Sequence, residues 1–327
     1  MAVSKYFAAG RTAVLSQRLL SAEAFNRLAD CQSVQQAMKM LRETGYDTVA
    51  SADYEEMLKR QLNDAVAYLK EMTSEPRVTD TFVLCYDYIN AKIMMKSKYM
   101  RTDNTYLCYD CGLIDKDKMW HDISLDDYRD LPAPMAAALE KIDWSFAEGK
   151  REPAIIDILL DKAMYEDIRR HLKGSVPRSV KEYFFLQADC NNIIALYRAK
   201  RASLPAERVR QTLAEEFTFC VNDLIALYEQ DVSLLTEFFA KTDYRWLAEK
   251  CSQCLAENKD FGKCYEETEK RKRQCLAACK NNISVEPVIC YYLSKVAETD
   301  NIRTVLICIK NGVDKSAIKE RIKELYV

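Results

Sequence analysis

At 327 residues, with 49% hydrophobic and 30% charged residues, the chain has the length for two or three domains and a globular balance, which excludes a disordered chain. Its formal net charge of −2, from 48 basic and 50 acidic residues, excludes an overall basic field able to hold nucleic acid or an anionic membrane. With only seven glycines and seven prolines, most of them at junctions, and with abundant Ala, Leu, Lys, Glu and Arg, the composition argues against a sheet-rich fold, and the expected fold class is all-α.

Apolar runs such as Val305 to Ile309 fall far short of the roughly 20 residues of a membrane-spanning helix. The first twenty residues carry arginine among the apolar ones and no small-residue cleavage pattern, so no secretory signal is expected. Thirteen cysteines, an odd count without such a signal, fit reduced thiols in a soluble, cytosolic protein. Most stand at apolar helical positions, for example Cys85, Cys190, Cys220, Cys290 and Cys308, where a thiol is a small hydrophobe.

In chain order, helix-period apolar residues run from Phe7 to Leu41, with Ser21 as a plausible N-cap, and stop at Thr44-Gly45-Tyr46. A second helix is expected from about Ser51 to Thr73, closing before Pro76, and a third from about Thr79 to Tyr99. Arg101 to Ile142 is mixed, with turn signals and the LPAPM segment, and reads as a crossover. Pro153 then starts a helix where its missing N–H costs little, and the run reaches Gly174. After Pro177 another helix carries DCNNIIALYRAK. Beyond Pro205, Glu207 to Gln230 reads as one long helical stretch. VSLLTEFFAKTDYRWLAEKC follows, then a charged hairpin around Asn258 to Gly262. Last comes Glu298 to Val327, where Gly312 opens a short amphipathic helix.

Within this order one pattern occurs three times. Asp87-x-x-Asn90, Asp189-x-x-Asn192 and Glu298-x-x-Asn301 each lead into an apolar helical run. Around these asparagines, Ala91, Ile193 and Ile302 stand at plus one, and Met94, Leu196 and Val305 at plus four. A second set is anchored on Tyr46, Tyr165 and Tyr244. Nine residues before them are Ala37, Ile156 and Leu235; six before, Met40, Leu159 and Phe238; five before, Leu41, Leu160 and Phe239. Val34, Pro153 and Val232 stand twelve before, and Val49, Ile168 and Leu247 three after. Such offsets share one helical face. The reading is one module written three times: residues 1–115 with the N-terminal helix, 116–220, and 221–327 with the cysteine hairpin.

Asparagine is unfavourable inside a helix because its amide competes for backbone groups. Three of them on apolar stripes are expected to be buried amides that tie neighbouring helices or a turn, with direct contact to a partner as the alternative. No catalytic constellation is visible, and GxxxxGK[ST], GxGxxG and GxSxG are all absent. The two histidines, His121 and His171, stand alone, the second beside Arg169-Arg170 on what reads as a solvated face. Cys108-x-x-Cys111 could join His121, and Cys251-x-x-Cys254 could meet Cys275-x3-Cys279 across the hairpin, but three- and four-residue spacings are also one helical face, and no metal or cofactor is expected. The run Glu266 to Arg273 reads as a solvated charge block, with a docking tip as the alternative.

The opening RTAVLSQRLLSAEAFNRLADCQSVQQAMKMLRETGYDTV, the central DCNNIIALYRAK and above all the closing ETDNIRTVLICIKNGVDKSAIKERIKELYV resemble the C subunit of archaeal and bacterial A/V-type rotary ATPases, the counterpart of the d subunit of the eukaryotic vacuolar proton pump (V-ATPase). The LPAPM linker and the cysteine hairpin depart from the family's pattern. The resemblance covers the whole chain and implies three similar helical modules in a pseudo-threefold, funnel-shaped arrangement. It also implies a non-catalytic central-rotor subunit between the central-stalk subunits D and F and the membrane rotor ring of proteolipid subunits, serving ATP-linked proton or sodium transport. On that reading the protein binds no nucleotide or nucleic acid directly. It lies peripherally at the cytoplasmic face and touches the membrane only through the ring. The competing readings are an unrelated cytosolic α-helical scaffold, which as a solenoid would repeat every 33 to 47 residues or about that, and a thiol or zinc enzyme built on the cysteine pairs.

Overall fold

The computed structural model describes residues 3–46, 54–73, 75–149, 152–215, 217–277 and 283–326, and among these the secondary structure is helical with no strand. The fold is all-α. The chain opens with α1 (Lys5–Ser16), α2 (Ala22–Ala29), α3 (Val34–Glu43), α4 (Tyr54–Met72), α5 (Pro76–Val83) and α6 (Cys85–Met100). A short 3-10 helix, Thr105–Leu107, leads to α7 (Lys116–Ser124), α8 (Ala133–Ala147), α9 (Ala154–His171) and α10 (Arg178–Arg201). There follow α11 (Ala206–Thr212), α12 (Val221–Glu229), α13 (Val232–Ala240), α14 (Arg245–Ala256), α15 (Gly262–Ala277), α16 (Glu286–Lys310) and α17 (Lys315–Glu320).

Local chemistry explains the starts and stops. Ser21 caps α2 by accepting from the Ala24 N–H, and Ser33 caps α3 by accepting from Gln36, whose own side chain accepts in return from the Gln32 N–H. The Ser33 bond satisfies one of the amide groups a helix start leaves over, and the Gln32 bond fixes the residue before the cap. Gly45 ends α3 at φ +90° and Gly312 ends α16 at φ +66°, left-handed positions where a Cβ would be strained.

The chain divides into two compact units, residues 1–79 with 276–327, and residues 80–275. The core of the first joins the two ends of the chain: Phe25, Leu28, Leu41 and Leu58 pack with Ile302, Val305, Leu306 and Ile318. In the second, Ile193, Ile194, Leu196 and Tyr197 of α10 pack with Leu224, Leu235, Phe239 and Leu247. These closures follow apolar faces, whereas the boundaries at 115/116 and 220/221 follow a motif along the sequence; the two are different divisions of one chain.

Three sequence expectations are revised and one is sharpened. The stretch after Pro205 is two helices, not one, because residues 213–215 and 217–220 leave the helix between α11 and α12. Cys220 therefore stands exposed at the N-cap of α12 rather than on an apolar helix face. The mixed crossover after Arg101 holds two helices among its turns, α7, capped by Asp115, and α8. The charge block of α15 is not simply solvated: Thr268 and Lys272 are buried, and the Lys272 ammonium lies 4.9 Å from the Tyr183 ring centre.

Candidate functional site

The three asparagines lie on the helices α6, α10 and α16, and each is buried. Each does the same thing. The Asn90 amide donates to the Tyr109 carbonyl and accepts from the Tyr109 N–H, both at 2.8 Å. Asn192 does so with Ala214 at 2.9 Å and 2.8 Å, and Asn301 with Lys323 at 2.8 Å in both directions. The partner lies 19, 22 and 22 residues along the chain, each time just past a short helix: Thr105–Leu107, α11 or α17. A carboxamide placed this way offers the donor–acceptor pair of a neighbouring backbone, so a returning strand of chain is pinned at one residue.

This contact also explains why the chain leaves the helix at Leu213 and regains it only at α12. Asn192 takes both backbone groups of Ala214, and Asp189 accepts from the Thr218 N–H at 3.2 Å, so those groups find partners without an i−4 carbonyl. The end of the chain behaves likewise: α17 stops at Glu320 and does not continue to Tyr326, because Asn301 holds Lys323 and the Ser294 hydroxyl accepts from the Tyr326 N–H.

Three residues before each asparagine, the acidic side chain adds a second hold. Asp87 accepts from Leu113 and Ile114, four and five residues beyond Tyr109, each at 3.0 Å. Asp189 reaches Thr218, four beyond Ala214. Glu298 differs, accepting from the Leu20 N–H at 2.6 Å and from the Lys295 ammonium at 2.5 Å. Burial raises the carboxyl of Asp189, and the bonds from Thr218 and Tyr244 offset only part of that rise. Gly112 lies against Asp87 so closely that a Cβ there would collide with the carboxylate oxygen.

The tyrosines do not all repeat one contact. Tyr244 donates to Asp189 at 2.5 Å, and the Tyr46 hydroxyl meets Glu298, with Lys295 4.9 Å from the centre of its ring. Tyr165 instead accepts from the amides of Asn191, at 2.5 Å, and Gln187, at 3.5 Å. Burial comes first among the causes that push all three hydroxyls upward, and neighbouring carboxylates add to it for Tyr46 and Tyr244. The apolar columns share burial: Ala37, Ile156 and Leu235 are buried, as are Leu41, Leu160 and Phe239, while Met40, Leu159 and Phe238 are half-buried. Ile168 and Leu247 are buried, and Val49 lies outside the described residues.

The candidate metal and acid–base residues are scattered. Cys108 and Cys111 are buried whereas His121 is exposed. Cys275 lies near Trp246 and Arg271, Cys279 lies outside the described residues, and the thiol that meets Cys251 and Cys254 is Cys264, which the spacing does not single out. Cys254 and Cys264 stand five residues either side of Lys259, so a hairpin folded symmetrically about that lysine brings the pair together. His171 is half-buried and its Nδ1 lies 3.0 Å from the Asp167 carbonyl, a closer tie than a solvated face suggests. Among the described residues no group of three or more ligating side chains is arranged to hold a metal ion.

What the clamps do chemically is to hold backbone, not substrate, and each carboxamide commits its oxygen and one N–H to that task. A family model described as ATP synthase (C/AC39) subunit matches residues 8–321, nearly the whole chain. The chain belongs to the C/AC39 family. It is also similar to the C subunit of the V-type sodium ATPase of Enterococcus hirae, with 19% identity over 318 residues that span 94% of each chain. Membership makes it a C-type component of a V-type rotary ATPase, an accessory part of that complex. Among its described residues no helix is long and apolar enough to cross a membrane.

Proposed function

We propose that this protein is the non-catalytic central-rotor subunit that joins the D–F central stalk to the membrane rotor ring, and so couples ATP turnover to proton or sodium transport. The observation that carries this reading is a C/AC39 match running almost end to end, together with a V-type ATPase relative aligned over nearly its full length. A part placed between a turning stalk and a ring must transmit torque without yielding, and three buried backbone clamps on three long helices suit that demand.

On this reading the clamps mark three modules of one design, at residues 1–115, 116–220 and 221–327, which together receive the foot of the stalk. The protein is peripheral, on the cytoplasmic face, and meets the membrane only through the proteolipid ring. It holds no nucleotide and performs no hydrolysis. Near-neutral charge suits two protein interfaces better than a lipid or nucleic-acid surface.

The test is copurification from the native host. A tagged chain should bring down D, F and the ring, and its deletion should abolish ATP-driven ion transport. Transport that survives the deletion, with no stalk or ring subunit recovered, would leave the unrelated-scaffold reading in its place.

A further inference from the structure

Three thiols meet at the tip of the hairpin formed by α14 and α15. Cys251 and Cys254 stand one turn apart on α14, and the third residue of α15, Cys264, faces both. The Cys264 sulfur lies 3.4 Å from that of Cys251 and 4.0 Å from that of Cys254. Cys251 and Cys264 are fully buried, and Cys254 lies at the edge, 7% exposed. The connecting turn is fixed: Asn258 is left-handed at φ +49°, Asp260 accepts from the Gly262 N–H at 2.7 Å, and the Arg201 guanidinium sits 4.7 Å from the Phe261 ring centre and donates to the Lys259 carbonyl. Contact between sulfurs of a packed, preorganised pair is the arrangement from which a disulfide forms with little movement.

The cluster is also primed electronically. Hydrogen bonds from the Cys251 and Cys254 thiols hold Cys264 below the ordinary thiol value, against the opposing effect of burial. The first proton therefore leaves from Cys264, and Cys251 is correspondingly hard to ionise. Cys190 is the internal contrast, a buried thiol that burial pushes up to about 12.

We propose that Cys264 and Cys251 form a reversible disulfide when the protein meets a peroxide-class oxidant, locking the α14–α15 hairpin at its tip. The Cys264 thiolate attacks the peroxide oxygen, breaks the O–O bond and becomes a sulfenic acid, and the departing hydroxide takes up a proton as water. The Cys251 sulfur then attacks the Cys264 sulfur; its proton leaves with the displaced hydroxyl as a second water. Two thiols and one hydrogen peroxide give one disulfide and two waters, with sulfur oxidised by two electrons and peroxide reduced by two. Cys254 is the reserve partner. The inference stands independently of the rotor reading.

The experiment treats the reduced full-length chain with hydrogen peroxide, blocks remaining thiols with iodoacetamide in denaturant and maps the peptides by mass spectrometry. The Cys251–Cys264 link should appear roughly tenfold faster than the Cys190 thiol is lost, and dithiothreitol should reverse it. In Cys251→Ser the link should move to Cys254–Cys264, and Cys264→Ser, its helical circular dichroism retained, should abolish both. Three outcomes overturn the proposal: Cys264 still alkylated after Cys190 has been oxidised, a Cys251→Ser protein in which Cys264 stays reduced, or stoichiometric zinc on the purified chain by native mass spectrometry.

Discussion

Asn192 holds Ala214 by both of its backbone groups, the carbonyl at 2.9 Å and the N–H at 2.8 Å, in a fully buried setting. Replacing the amide with an isobutyl group of similar size removes both bonds and leaves a buried donor and acceptor without water. Asn192→Leu should therefore lower the unfolding free energy by about 1–3 kcal/mol, read as a lower urea midpoint with an unchanged slope. Asn90→Leu and Asn301→Leu should behave alike. A midpoint that does not move would remove the clamp as a source of stability.

Gly112 offers a test of the second hold. Asp87 cannot swing aside to admit a Cβ without giving up the N–H groups of Leu113 and Ile114. Gly112→Ala is expected to cost about 1–3 kcal/mol as local overpacking. Gly10, inside α1 with nothing near its would-be Cβ, is the control. There the same substitution should be neutral or stabilise by up to about 1 kcal/mol. Equal effects at the two sites would contradict the contact.

The Lys295–Glu298 pair differs from the surface ion pairs. Glu298 is fully buried, and its two oxygens are shared among the Leu20 N–H, the Tyr46 hydroxyl and its countercharge, the Lys295 ammonium. Lys295→Met would strand that carboxylate, a loss of about 3–5 kcal/mol. Breaking the exposed Arg60–Glu56 pair should do little by comparison. Thermal melts of the two variants side by side decide it, and similar melts would show that Glu298 is not compensated by Lys295.

How far the sequence disclosed this arrangement depends on which group carries the bond. Asn90, Asn192 and Asn301 were legible because a polar amide on an apolar stripe is anomalous in itself, and the columns at Ala37, Ile156 and Leu235 because apolar period maps directly onto burial. Their partners were not legible. Ala214 and Lys323 contribute only backbone, which every residue has, so nothing in their identity marks them. For the same reason the sequence after Thr212 continues a helical pattern while the chain itself leaves the helix at Leu213. Cys264 was missed because its relation to Cys251 passes through a turn and not along one helix face. The contact of Tyr165 with Asn191, where Tyr46 and Tyr244 meet carboxylates, has no counterpart in the spacing.

Buried tyrosines set the behaviour at high pH. Burial foremost, then the carboxylates of Glu298, Asp167 and Asp189, push Tyr46, Tyr88 and Tyr244 upward from the ordinary 10.0. The unfolded chain ionises these groups near that ordinary value, so above it the folded chain binds more protons. Their contribution to stability is thus fully present below pH 10 and is lost as the pH climbs beyond it. Absorbance at 295 nm should show a class of tyrosines that ionises only as the helical circular dichroism collapses. Complete ionisation while the helices persist would refute the burial of these hydroxyls.

The central claim, that this C/AC39 chain is the rotor's coupler, is tested most directly by ATP-driven ion uptake into vesicles from a host in which the chain has been deleted and then restored. ATP hydrolysis should persist in the soluble head while ion uptake vanishes, and the restored chain should recover uptake together with the association of D, F and the ring. Undiminished uptake in the deleted host would contradict it.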